Sequence, residues 1–368
     1  MHTQLRVFDD IARTDTTPGR RGVSSFEFMN TSARPKAEWA RAIIEAWFEH
    51  LPDHEKPELR ARLRQSDDQH FRAAFFELYL HELLLRSGFT VEFHTLSEKG
   101  KRPDFKVYRD GVPVFYIEAR DAGDSAEKSA KQHLMDAAYD AIDRMPCPDY
   151  FLHITVEGEP SSPVPVRKGL RRELEEWIGG LDYDAVVAAA LAGRRDLLPK
   201  RAWAHEGWRL VFTAVPKKEH ARGKPGARPI GVVADGISFR ARTEELILSG
   251  VSDKAGRYGK LDLPYVVAVN VLDQTGVDGD DIWLGLTKAL NGQRTTVSAV
   301  LIVPELWNPL AAQDCSPSLV HNPGATRPLS RDLWPLAQFT LGGNDIEELA
   351  TPARAAAEVL GLLDSSGR

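Results

Sequence analysis

The chain has little of what cross-links a protein or anchors it in a membrane. Its 368 residues include two cysteines, Cys147 and Cys315, which lie far apart and lack the spacing of metal ligands. A disulfide framework is therefore excluded, and a cytoplasmic location is expected. No apolar run reaches the roughly 20 residues that a membrane-spanning helix needs. Residues 1–20 are too polar for a secretory signal, so no membrane contact is expected.

Several catalytic signatures are also missing from the sequence. It has no Gly-x-x-x-x-Gly-Lys-Ser/Thr loop for nucleotide phosphates and no Gly-x-Ser-x-Gly nucleophile elbow. No predicted helix carries a pair of histidines spaced for zinc, and no glycine-rich dinucleotide fingerprint follows a strand. These absences exclude a P-loop ATPase, a serine hydrolase and a simple Rossmann dehydrogenase.

The charge of the chain is unevenly distributed. The net charge is −6, yet residues 194–242 contain twelve basic and four acidic residues, an excess of eight positive charges. Trp203 and Trp208 lie in the same stretch, which suits contact with a phosphate backbone. A set of solvated basic loops is the alternative interpretation. The candidate nucleic-acid contacts are Lys217, Lys218, Arg222, Lys224 and Arg228.

A dense apolar segment, residues 71–85, predicts a buried helix because its apolar residues nearly encircle the helix axis. Asp67 and Asp68 suit its first turn and Gly88 suits its end. Glu77 lies in the middle of this helix. A carboxylate in such surroundings is costly unless it is paired, hydrogen-bonded or bound to a metal.

Two short strands follow the helix and carry two more acids. Asp104 comes directly after Pro103 at the head of one strand, and Asp110-Gly111 predicts the hairpin turn that leads to the next. Successive side chains of a strand alternate between faces, so Glu118 and Arg120 share one face of the second strand. Three acids and one cation on consecutive elements are more easily explained by a divalent cation than by packing.

This order resembles the PD-(D/E)XK nuclease superfamily. The matching residues are Glu77, Pro103-Asp104 and Glu118-Ala119-Arg120. The resemblance implies that Asp104 and Glu118 bind Mg²⁺ or Mn²⁺, and that Glu77 adds a ligand or a hydrogen bond to a metal-bound water. It also implies a DNA substrate, with RNA not excluded, and it is compatible with a homodimer.

The sequence departs from the family pattern at Arg120, where the family has lysine. Arginine does not release its proton in a protein, so Arg120 cannot act as a general base. It can hold a phosphate bidentately and stabilise developing negative charge. Alternatively, a lysine from another element supplies the charge. The candidates for this substitute cation are Lys128, Lys131 and Lys254.

The expected fold is α/β, with a restriction-endonuclease-like mixed sheet flanked by helices. We expect a leader with helices at residues 1–66 and a nuclease-like core at 67–160, ending in a strand at 150–156. Residues 161–368 then form an α/β extension whose strands and helices are added to the same sheet. A domain split near Ser161 is the alternative.

Two functions follow from these residues. The first is a metal-dependent endonuclease that cleaves DNA in restriction, repair or defence, with Glu77, Asp104, Glu118 and Arg120 as catalytic residues. The second is an inactive descendant of the nuclease fold that binds nucleic acid or a protein partner. Arg120 favours the second function, whereas retention of all three carboxylates favours the first.

Overall fold

The structure is a computed structural model, and it describes most of the chain. The described residues are 5–20, 22–94, 103–122, 134–135, 138–140, 142–158, 169–223, 229, 251, 261–272, 279–290, 296–306, 308–342, 345–352 and 354–363. The chain divides into two compact units. The large unit comprises residues 1–18, 24–123 and 236–368, and the small unit comprises residues 19–23 and 124–235.

The large unit contains a mixed sheet with helices on its faces. Its described helices are α1 (Ser25–Thr31), α2 (Pro35–Glu49), α3 (Lys56–Leu63), α4 (Asp68–Arg86), α7 (Gly279–Leu290) and α8 (Ala356–Val359). A 3₁₀ turn spans Ala311–Gln313. Its strands are β1 (Thr90–Phe93), β2 (Phe105–Arg109), β3 (Val112–Ala122), β7 (Tyr265–Val271), β8 (Ala299–Pro304), β9 (Ser318–His321), β10 (Ala337–Gly342) and β11 (Asp345–Ala350).

The strand order in this sheet is β1-β2-β3-β7-β8-β9-β10-β11. The first three strands form an antiparallel meander. Strand β7 then pairs in parallel with β3, and β8 pairs in parallel with β7. The remaining pairs are antiparallel for β8–β9 and β10–β11 and parallel for β9–β10. The sheet is therefore mixed, and its centre is the parallel trio β3, β7 and β8.

Two apolar layers cover the faces of this sheet. On one face, Phe115 and Ile117 of β3 and Val266 of β7 pack with the aromatic residues of α4. On the other face, Val267 and Val269 pack with Leu286 of α7. Every residue of β7 is buried, which is the pattern expected of a strand with helices on both sides.

Helix α4 forms as its sequence predicts. The Asp67 side chain accepts a hydrogen bond from the backbone N–H of Gln69 and caps the first turn. Eleven residues of this helix are buried, so it lies in the core. Gly88 has φ +83°, a left-handed conformation that glycine adopts without strain and that ends the helix.

The small unit has its own sheet and core. Its strands are β4 (Tyr150–Glu157), β5 (Lys200–His205) and β6 (Trp208–Pro216), in the antiparallel order β4-β6-β5. Its described helices are α5 (Arg171–Gly179) and α6 (Tyr183–Leu191), with 3₁₀ turns at Arg195–Leu197 and Glu219–Ala221. Leu152, Ile154, Leu210 and Phe212 form the centre of the core.

This arrangement corrects the expected domain plan. The strand predicted at 150–156 belongs to the small unit and does not complete the sheet that contains β3. Burial alternates along β4, which suits a sheet with one open face, whereas the uniformly apolar β7 suits the central position beside β3. Of residues 161–368, strands β7 to β11 do extend the large sheet, but β5 and β6 do not.

None of the helices in the described ranges is both long enough and apolar enough to span a lipid bilayer.

Candidate active site

Asp104 and Glu118 lie opposite each other where the β2–β3 ladder begins. Phe105 pairs with Ile117, so Asp104 lies opposite Glu118, and opposite residues of an antiparallel pair have neighbouring side chains. The Asp104 Oδ2 atom accepts a hydrogen bond of 2.7 Å from the backbone N–H of Ala119. This bond fixes the carboxylate of Asp104 against the strand that carries Glu118.

Glu118 and Arg120 lie on the face of the sheet away from α4. Their register partners on β7 are Val267 and Val269, which both belong to the core on the α7 side. Glu118 is only 3% exposed, and Arg120 is half-buried. A buried carboxylate beside a second, oriented carboxylate can hold a hard divalent cation, which prefers oxygen ligands.

Glu77 has a different environment from the other two acids. Its carboxylate receives both terminal nitrogens of the Arg62 guanidinium, with Nη1 to Oε2 at 2.8 Å and Nη2 in contact with Oε1. Both side chains are about three-quarters or more buried. A bidentate Arg–carboxylate pair of this kind is one of the stronger polar contacts in proteins.

The sequence predicts that Glu77 joins the metal ligands, whereas in the structure its carboxylate is paired with Arg62. Glu77 extends from α4, whereas Glu118 lies on the opposite face of the sheet. The ligand atoms of Glu77, Asp104 and Glu118 do not all lie within 4.8 Å of one another. The structure therefore places Asp104 and Glu118 at opposite positions of the β2–β3 register and pairs Glu77 with Arg62.

Arg62 is a residue of this region that sequence reasoning missed. Burial lowers the pKa of its guanidinium, but the carboxylates of Glu77, Glu58 and Asp104 together outweigh burial and raise the pKa. Arg62 is therefore a permanent cation within electrostatic range of Asp104 as well as Glu77. Its position on a short charged helix, four residues after Glu58, did not indicate that it pairs with Glu77.

Three of the five predicted nucleic-acid contacts lie among the described residues, and each has a different environment. Lys217 is only 2% exposed, and its Nζ donates a 2.6 Å hydrogen bond to the Cys147 carbonyl. Burial lowers the pKa of this ammonium group. The Arg222 guanidinium is 2.6 Å from Asp149 and lies over the Tyr183 ring. Lys218 is exposed.

Lys217 therefore differs from the predicted nucleic-acid contact, because its ammonium is buried and bonded within the protein. Its ammonium instead contacts the Cys147 carbonyl and lies 4.9 Å from the centre of the Phe151 ring. The sequence could not distinguish Lys217 from Lys218, since both follow the same strand. Lys224 and Arg228 lie outside the described residues, as do the three candidate substitute cations Lys128, Lys131 and Lys254.

Three further arginines of the basic stretch have acidic partners within the described part of the small unit. Arg201 pairs with Glu173, and Arg209 pairs with Glu157. Arg194 pairs with Asp196. Exposed pairs of this kind contribute little to stability, but they reduce the positive field that a phosphate backbone would meet. Arg201 and Arg209 lie on strands β5 and β6, so these two arginines do not belong to the solvated loops of the alternative interpretation.

Comparison of the chain with protein-family models, with curated proteins and with solved structures finds no match.

Proposed function

We propose that this protein is a metal-dependent phosphodiesterase that cleaves nucleic acid, with DNA as the favoured substrate. The observation that carries the proposal is the pair of Asp104 and Glu118. These two residues lie opposite each other in the register at the start of the β2–β3 ladder, and Asp104 is oriented by the Ala119 N–H. The order of α4, the β1–β2–β3 meander and the parallel strand β7 further supports a restriction-endonuclease-like core.

Each residue of the site has a separate role in this proposal. Asp104 and Glu118 hold Mg²⁺ or Mn²⁺, for which carboxylate oxygens are the preferred ligands. A bound ion of this type polarises a phosphoryl oxygen and makes a water more acidic. Arg120 binds the scissile phosphate through its planar guanidinium, since it cannot accept a proton. Glu77 acts through Arg62, which it holds near Asp104.

The alternative function is a nuclease-fold protein that binds nucleic acid or a protein partner without cleaving. The arginine at position 120 favours it, because no base is then available from this position. The position of Glu118 opposite Asp104 favours the enzyme, because carboxylate oxygens are the ligands that a hard divalent cation prefers.

A cleavage assay on plasmid and single-stranded DNA, with Mg²⁺ or Mn²⁺, tests the proposal. We expect metal-dependent nicking, and we expect Arg120→Lys to retain activity while Arg120→Ala loses it. Binding of DNA without cleavage by any metal-loaded preparation would instead support the alternative function.

A further inference from the structure

A second group of metal-ligand atoms lies at the start of α3. Glu55 precedes this helix, Glu58 lies in its first turn, and His94 follows the end of β1. One ligand atom from each of these residues lies within 4.8 Å of the other two. Among the described residues, this is the one set of three or more His, Cys, Asp or Glu side chains that satisfies this distance. Neither Asp104 nor Glu118 belongs to it.

The distance between His94 and Glu55 is close to that between two ligands of one bound ion. The His94 Nε2 atom is 3.6 Å from Glu55 Oε2. Ligands that each lie about 2.0–2.2 Å from a metal are separated by roughly 3–4 Å. Small rotations of the side chains would therefore bring all three atoms into one coordination sphere.

The permanent cation nearest the group is already engaged. Arg62 approaches Glu58 at 3.9 Å, but its guanidinium makes its short bidentate contact with Glu77. The other neighbour is His54, whose Nε2 is 3.3 Å from Glu55 Oε1. With neutral imidazoles, Glu55 and Glu58 leave two negative charges at this position, which is the charge a divalent cation neutralises.

Acids in the first turn of a helix have an ordinary explanation, because they offset the positive end of the helix dipole. That explanation accounts for Glu58 but not for His94, which arrives from a different element. His94 has φ +50° and its backbone N–H donates a 3.1 Å hydrogen bond to the Asp104 carbonyl. Its main chain is therefore held at the same position where the β2 segment begins.

We propose that Glu55, Glu58 and His94 form a binding site for a first-row transition-metal dication. The imidazole nitrogen determines this class, because Mg²⁺ and Ca²⁺ prefer oxygen ligands alone whereas Mn²⁺, Co²⁺ and Zn²⁺ accept nitrogen. Glu55 is 14% exposed, while Glu58 and His94 are 63% and 32% exposed. The ion therefore enters directly from solvent and ties α3 to the end of β1.

Titration of the full-length protein with Co²⁺, followed by visible absorption, tests this site without any assay of cleavage. Two variants remove one ligand each: His94→Asn, since asparagine tolerates a left-handed backbone, and Glu55→Gln. We expect each to weaken Co²⁺ binding by about tenfold or more. His54→Asn is the matched control, because it removes the other imidazole beside Glu55, and we expect Co²⁺ affinity to stay within about twofold of wild type.

The far-UV circular dichroism and metal-free melting temperature of each variant establish that it is folded. Co²⁺ binding that is absent, or that His94→Asn and Glu55→Gln leave unchanged, would overturn the proposal. Equal affinity for Mg²⁺ would overturn the assigned metal class. An Asp104→Asn, Glu118→Gln double variant should keep this Co²⁺ signal, which separates the site from the proposed nuclease centre.

Discussion

His81 is a buried histidine whose ionisation opposes folding. Its ring packs against Phe93 and Phe105, with centroids 5.3 and 6.4 Å away, and it is 2% exposed. Burial lowers its pKa from 6.5 to about 4, against the smaller opposing effect of Glu82. The core therefore accommodates the neutral form of His81.

The pH dependence of stability should report this histidine. A depressed histidine pKa means that the unfolded chain takes up the proton first, so stability is full above pH 6.5 and is lost as the pH falls towards 4. The expected loss from His81 is about 3 kcal/mol. Urea denaturation between pH 7 and pH 4 should show this loss in wild type and a smaller one in His81→Leu. Equal pH dependence in the two proteins would contradict the assignment.

Local residue patterns predicted the region around the site well. Asp110 and Gly111 have φ +52° and +76°, the left-handed pair that a tight hairpin turn requires, and β2 and β3 flank them as expected. The partner of Glu77 could not be predicted in this way. Arg62 lies fifteen residues earlier, and only the packing of α3 against α4 brings the two side chains together.

At the scale of elements, the Arg62–Glu77 pair joins α3 to α4. Helix α3 is short and strongly charged, and of its residues only Leu59 and Leu63 are buried. Helices of this length are marginal without tertiary contacts. The pair therefore contributes to holding α3, and with it Glu55 and Glu58, against the core.

The Glu77→Gln variant tests whether Glu77 positions Arg62 or binds the metal ion. The substitution removes one charge from a largely buried pair, so we expect the free energy of unfolding to fall by about 1–3 kcal/mol. Affinity for Mn²⁺ at the Asp104–Glu118 pair, measured by electron paramagnetic resonance in a His94→Asn background that removes the second proposed site, should stay within about twofold.

Glu58→Gln is the matched comparison, because the Glu58 carboxylate is 63% exposed and 3.9 Å from the same arginine. In metal-free buffer we expect this variant to change the free energy of unfolding by less than about 0.5 kcal/mol. A large loss of Mn²⁺ affinity at Asp104 and Glu118 in Glu77→Gln would instead restore Glu77 as a ligand.

The pairing of β3 with β7 shows the limit of sequence reasoning at this scale. Tyr116 is paired with Tyr265, although residues 124–235 of the small unit lie between them in the sequence. Periodicity predicts that each segment is a strand and whether its faces are covered. It contains no information on which of several apolar strands becomes the neighbour, so the nearer β4 was assigned to the core sheet in error.

At the scale of the whole molecule, residues 194–235 of the basic stretch and the carboxylate pair belong to different units. Asp104 and Glu118 are in the large unit, whereas Lys217, Lys218 and Arg222 are in the small unit. The excess of positive charge read from residues 194–242 is reduced by ion pairs within the small unit. Composition alone overstated the cationic surface, because it could not show which arginines have acidic partners.

Lys217 and Lys218 provide a direct test of the nucleic-acid contacts. Lys218→Ala should weaken DNA binding and reduce the slope of log affinity against log salt by about one. Lys217→Met should leave that slope unchanged, because its ammonium is bonded to the Cys147 carbonyl. It should lower the free energy of unfolding by about 1–3 kcal/mol, since the carbonyl loses its partner. Fluorescence anisotropy at several salt concentrations measures the slopes.

In the proposed function, Asp104 and Glu118 hold the ion on which cleavage of nucleic acid depends. Single-turnover cleavage of plasmid DNA with Mg²⁺ tests it most directly in the wild type, Asp104→Asn and Glu118→Gln. Asp110→Asn is the control, because it makes the same chemical change at a turn of the same hairpin where asparagine is tolerated. We expect the cleavage rate to fall by at least about 100-fold in both site variants and to stay near the wild-type rate in the control. Cleavage that persists in Asp104→Asn and Glu118→Gln would contradict the account.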